Sequence, residues 1–163
     1  MSKPKAKQQI ADPTRGPLIS VRFVICLLLV AAGIAYVVFW TLYVRDLRAF
    51  DAVLDPAKAG DKPEPIIPAM TKLDNWNYII GFGLIFLGLA LSAHPSTPLG
   101  RGKGVIVGML GCFLIGLIWI CTFYVISGNN LSKVPVFNDL DQFNLLVGIG
   151  FMAVGFAFAT KWE

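Results

Sequence analysis

LDNWNYIIGFGLIFLGLALS, Leu73 to Ser92, is stated twice in this chain; its second form is LDQFNLLVGIGFMAVGFAFA, Leu140 to Ala159. Leu73, Asp74, Asn77, Gly81, Gly83, Gly88 and Ala90 reappear as Leu140, Asp141, Asn144, Gly148, Gly150, Gly155 and Ala157, always 67 positions on and without a gap. Trp76 is answered by the aromatic Phe143, and the substitutions between the identities are apolar for apolar. A frame of aromatic-Asn-x3-Gly-x-Gly-x4-Gly held in register over this length is an internal duplication.

Working outward, the apolar run before each copy also repeats. Gly33-Ile34-Ala35-Tyr36-Val37 matches Gly116-Leu117-Ile118-Trp119-Ile120 at a spacing of 83, and Trp40 matches Phe123. The 16-residue difference between the two spacings is an insertion in the first connecting loop. Each unit is therefore a long helix, a loop and a shorter helix. An even number of crossings per unit makes the two copies point the same way, unlike the inverted repeats common in transporters.

Of the 163 residues 56% are hydrophobic, and the mean hydropathy is +0.68. A soluble domain of this length is less apolar and richer in charge. The charges are segregated between four long stretches, at about Val21–Val44, Trp76–Ala93, Gly104–Ser127 and Phe143–Thr160. Stretches of roughly 20 apolar residues span a bilayer. The expectation is an all-α integral membrane protein with four transmembrane helices, arranged as two parallel-repeat hairpins. Its divisions are a basic cytoplasmic tail at 1–20, unstructured by composition, a first hairpin at 21–93, a cytoplasmic linker at 94–103 and a second hairpin at 104–163. Within the loop Arg45–Asn75, Leu47, Phe50 and Leu54 recur at helical spacing, so a short surface helix should continue the first span. KPEPIIP, from Lys62 to Pro68, should be extended.

The basic residues set the orientation. With a cytoplasmic N-terminus, Lys3, Lys5, Lys7, Arg15, Arg22, Arg101, Lys103 and Lys161 lie inside, and Arg45, Arg48, Lys58, Lys62, Lys72 and Lys133 outside. The cluster before the first span favours this arrangement, with both termini cytoplasmic. The net charge of +4 is then topogenic and does not point to nucleic acid.

The spans carry no interior Asp, Glu, Lys, Arg or His. Intramembrane ionisable groups mark proton relays and ion paths, so a proton-coupled exporter is disfavoured. His94 is the single histidine; bis-histidine haem and His-rich metal sites are thereby excluded within one chain. No catalytic set or phosphate-cradling loop is present, so no enzyme, cofactor or metal is expected. Cys26, Cys112 and Cys121 lie in apolar stretches and read as small apolar residues. What remains is packing chemistry. Gly81, Gly88 and Ser92 share a helix face, as do Gly148, Gly155 and Ala159, and the third span offers Gly104, Gly108 and Gly111. Small residues let helices approach closely in lipid. Closure of each hairpin, or packing of one on the other, is the expected use; a groove for a partner is the alternative. Asp74 and Asp141 should cap their helices ahead of Asn77 and Asn144, with Trp76 and Phe143 as boundary anchors.

On these residues the sequence resembles the actinobacterial cell-division membrane proteins of the CrgA family. The start MSKPKAK resembles the family's basic tail, and Gly33 to Tyr36 and Gly116 to Trp119 resemble its first span, closest in GLIWICTFYV. Trp76-Asn77 with Gly81 and Gly88 resembles its second span, and Thr160-Lys161-Trp162-Glu163 its ending. The chain departs from the single hairpin of the family by carrying two units in tandem. The first unit closes on Ala93-His94-Pro95 without the tryptophan, and Phe143 stands where the family prefers Trp. The resemblance implies a non-enzymatic divisome scaffold in the cell membrane, enriched at the septum. It implies contact with the tubulin-like GTPase FtsZ and with septal peptidoglycan synthases, besides the lipid bilayer, and leaves homo-oligomerisation open. The competing readings are an accessory subunit of another membrane complex, such as a respiratory one, and a small transporter.

Overall fold

The computed structural model describes residues 19–53, 60–128 and 131–161. Leu54, most of the basic tail and the Trp162-Glu163 ending lie outside them. Among the described residues the chain is all helical. Helix α1 runs Val21–Asp51, α2 Met70–Leu73, α3 Trp76–Ser92, α4 Lys103–Ser127, α5 Pro135–Leu140 and α6 Phe143–Ala159, with one 3-10 turn at Leu131–Lys133. Ser20 begins α1 by accepting the Phe23 amide on its hydroxyl, which satisfies one of the orphan donors of the first turn.

Helices α1 and α4 are long and apolar enough to cross a membrane, while α3 and α6 are shorter apolar helices of 17 residues. At 31 residues, α1 is about 46 Å long and exceeds a bilayer core of about 30 Å. The amphipathic continuation expected after Val44 is thus the last part of α1 itself, up to Asp51. The KPEPIIP stretch carries no regular structure before the turn that opens α2.

Each long helix packs antiparallel on its short partner, α1 on α3 and α4 on α6. The two hairpins meet mainly along α3 and α6, with α5 reaching α1. Phe86 lies edge-on to Phe151 at 5.0 Å, and Asp139 near the start of α6 meets Tyr78 near the start of α3. The short helices therefore run side by side in the same direction, as a parallel repeat requires. One apolar core gathers Trp40, Tyr78, Phe82, Ile85, Val147 and Phe151 at this seam, and a second gathers Val105, Cys112, Val154 and Phe158. The outer faces of α1 and α4 expose Leu27, Leu28, Ile34, Leu114, Leu117 and Ile118. A monomeric soluble protein rarely exposes so continuous an apolar surface; hydrocarbon covers it without cost.

Candidate functional site

The site is a seam with three parts, built from the duplicated stretch upward: glycine contacts, a pair of asparagine clamps and a polar clasp. In the first hairpin a Cβ on Gly33 would stand 2.7 Å from the Gly81 carbonyl oxygen; in the second, one on Gly116 would stand 2.6 Å from that of Gly148. Backbone therefore meets backbone at mid-helix in both units. A Cβ on Gly88 would stand 2.9 Å from the Cys26 carbonyl oxygen, and one on Gly155 would meet Phe113 at 3.1 Å. The sequence pointed to Gly81, Gly88, Gly148 and Gly155 but not to their partners Gly33 and Gly116. The signal was present, since both glycines persist across the 83-residue spacing.

Other small residues are placed differently from the expected stripe. Gly108 lies under the ring of Phe158, Gly111 faces open space, and Gly104 abuts the Pro98 carbonyl of its own preceding loop. Ser92 is buried, but its hydroxyl bonds back to Leu89 O at 2.6 Å and its carbonyl accepts from Thr97. Gly104 and Ser92 thus seat the α3–α4 loop, because the chain turns tightly there. Ala159 is half-buried at the end of α6.

The helix starts correct a second expectation. Neither Asp74 nor Asp141 caps a helix with its carboxylate: the N-cap positions of α3 and α6 are Asn75 and Gln142, with no side-chain cap bond. Instead both aspartates adopt positive φ, 43° and 42°, where the chain turns sharply from α2 into α3 and from α5 into α6. The asparagine three residues on does the bonding. Asn77 Nδ2 donates to Met70 O at 2.8 Å and Asp74 O at 2.7 Å; Asn144 Nδ2 donates to Phe137 O at 2.8 Å and Asp141 O at 2.7 Å. Each amide so ties the brief helix α2 or α5 to the 17-residue helix that follows it. Both asparagines are 0% exposed, and a buried amide is tolerated only with its hydrogen bonds made. Tyr36 donates its hydroxyl to Asn77 Oδ1 at 2.8 Å. In the second unit Trp119 replaces that tyrosine, and neither Trp119 Nε1 nor Asn144 Oδ1 has a hydrogen-bond partner among the described residues. Trp76 and Phe143 are largely exposed at the helix starts.

Two expected outcomes separate these roles. Asn77→Ala should cost about 2–3 kcal/mol of unfolding free energy and Asn144→Ala about 1 kcal/mol less, at roughly 1 kcal/mol per bond. Asp74→Gly should leave stability unchanged or raise it by about 1 kcal/mol, since glycine adopts this φ without strain. Denaturation in nanodiscs checks both; a clear loss for Asp74→Gly would restore the carboxylate cap.

The third part joins the repeats. Asp139, on α5 of the second unit, has a side chain 3% exposed. It accepts the Tyr78 hydroxyl at 2.7 Å and pairs with Arg48, both from the first unit. None of the three has a like counterpart in the other copy: Lys72, Leu145 and Leu131 occupy the corresponding positions. The repeat supplies the scaffold, and these differences between its copies fix one hairpin against the other.

Beside this clasp a groove of about 660 Å³ opens between α3 and α6, lined among others by Ile79, Gly83, Phe86, Leu146, Gly150 and Ala153. Among the described residues Asp139 is the one charged residue in its wall, and no Lys or Arg lines it. Among the described residues no group of His, Cys, Asp or Glu is placed to hold a metal ion. What the arrangement offers is helix-scale apolar surface beside a rim locked by an ion pair.

The family model described as cell division protein CrgA matches this chain twice, over residues 1–94 and 100–163. A cell division protein CrgA of Streptomyces avermitilis is 45% identical over 68 residues, which make up 42% of this chain and 75% of that protein. Another, of Corynebacterium efficiens, is 27% identical over 81 residues, 45% of this chain and 86% of that protein. No solved structure matches. Most of each relative thus corresponds to less than half of this chain.

Proposed function

The chain belongs to the CrgA family of cell-division proteins, as a tandem duplication of the family unit, and from that premise we propose that it is a non-enzymatic membrane scaffold of the division machinery. It coordinates septum formation with septal peptidoglycan synthesis through protein–protein contacts. The observation that carries this reading is the double family match along almost the whole chain. The geometry supports it, because the site consists of packing seams and a structural ion pair, with its polar groups spent on holding helices together.

In this reading α1, α3, α4 and α6 all cross the bilayer. Helices α3 and α6, at about 25 Å, lie at the short end of the spanning range and are extended at their outer ends by α2 and α5. Both termini are cytoplasmic, which leaves the Arg48–Asp139 clasp and the Asn clamps at the outer surface. The basic tail is then available to FtsZ, and the spans and outer loop to septal peptidoglycan synthases.

A fluorescent fusion should concentrate at division septa; uniform membrane fluorescence through the cell cycle would overturn the division role. For orientation, Asp61→Cys should react with a membrane-impermeant thiol reagent in intact cells and Lys5→Cys should not. The reverse pattern would invert the topology.

A further inference from the structure

The two faces that meet along α3 and α6 are repeats of each other, so every position in the seam has an equivalent elsewhere in the same molecule. Phe86 of α3 fills the notch over Gly150 of α6, its ring 2.6 Å from where a Cβ would stand. The equivalent pair is Ala153 and Gly83, each 67 positions from its counterpart. Alanine has no ring to give, and a Cβ on Gly83 would meet nothing within 4 Å. Both residues line the 660 Å³ groove. The groove thus runs along the seam with one notch, over Gly150, covered by Phe86 and its counterpart, over Gly83, left open. Its volume falls in the range of about 300–1,000 Å³ typical of ligand sites, more than one ring can occupy.

We propose that this groove receives a membrane-spanning helix of another protein, which sets a large apolar side chain over Gly83 as Phe86 does over Gly150. The inference rests on the four-span reading above. The groove is continuous with the α3–α6 seam, where the occupant of the matching notch is a side chain from a helix running alongside. Among the described residues its wall holds no cation for a lipid phosphate, and the carboxylate there, Asp139, is already bonded to Arg48 and Tyr78. In lipid such a contact is driven by close packing, which a glycine-floored groove with aromatic walls provides.

The test is photo-crosslinking in dividing cells, using the full chain with p-benzoylphenylalanine at Ile79 or Leu146, and at Leu117 on the outer face of α4 as control. The expected result is an adduct from the two groove positions, absent from Leu117, whose peptides map to a spanning segment of a different protein. Ala153→Phe, which restores the missing ring, should reduce that adduct at least tenfold while the thermal unfolding midpoint is maintained. Gly83→Leu blocks the groove from the opposite wall and should act alike if Ala153→Phe fails to fold. Adducts to lipid only, adducts to a second copy only, or an undiminished adduct in a folded blocked variant would each overturn the proposal. Septal enrichment of the fusion is scored in the same cells: enrichment without the adduct overturns the groove alone, and the adduct without enrichment overturns the division role alone.

Discussion

Gly116→Ala, and Gly33→Ala in the first unit, will each force a hairpin apart, at a cost of about 1–3 kcal/mol. The new methyl would stand 2.6 Å from Gly148 O in one case and 2.7 Å from Gly81 O in the other. The obstacle is backbone, which cannot rotate away as a side chain can. Larger residues should cost more, because separating the helices forfeits dispersion contacts along the whole seam. Hydrocarbon solvates the exposed faces as well as the partner helix does, so no hydrophobic force restores the pairing. Gly111→Ala provides the internal control. Its added methyl meets nothing within 4 Å, and stability should hold. Thermal unfolding in nanodiscs reads all three; equal losses at Gly111 and Gly116 would show that helix propensity, not close approach, governs these glycines.

Arg48→Met should loosen the two hairpins from each other while leaving each intact. It leaves the Asp139 carboxylate, 3% exposed, with the Tyr78 hydroxyl as its one partner among the described residues. Breaking a fully buried ion pair by removing one partner costs about 3–5 kcal/mol. Arg48 is 46% exposed, and solvent screens the pair, so about 1–3 kcal/mol is expected here. Asp139→Asn in the Arg48→Met background should recover most of it, because the neutral amide keeps an acceptor for Tyr78 and removes the uncompensated charge. A disulfide-trapping assay between α3 and α6 follows the separation directly. Failure of the second change to rescue the first would mean that Arg48 acts through its alkyl packing on α5.

Much of the helical architecture was legible because it is written in periodicity and repetition. The duplicated stretch located α3 and α6, and the longer runs located α1 and α4. Gly81, Gly88, Gly148 and Gly155 stood out because a glycine in an apolar helix needs a packing reason. The aspartates misled for an equally physical reason. Asp three residues ahead of Asn is a common capping pattern, yet capping needs a side chain aimed at the amides of the helix start. Positive φ at Asp74 and Asp141 turns the chain there, and no local preference announces that a buried asparagine will bond backward across the turn.

By itself, the sequence determined the duplication, the helical class, the apolar character of the helices and the kinship with cell-division proteins. These are properties of composition and spacing, which act locally and repeat. Only the tertiary structure decided which glycines face each other, that Asp139 joins Arg48 and Tyr78, and that Ala153 leaves Gly83 uncovered beside a filled twin. Those are pairings between residues distant in sequence. They depend on how two nearly identical faces settle against each other once their side chains have diverged.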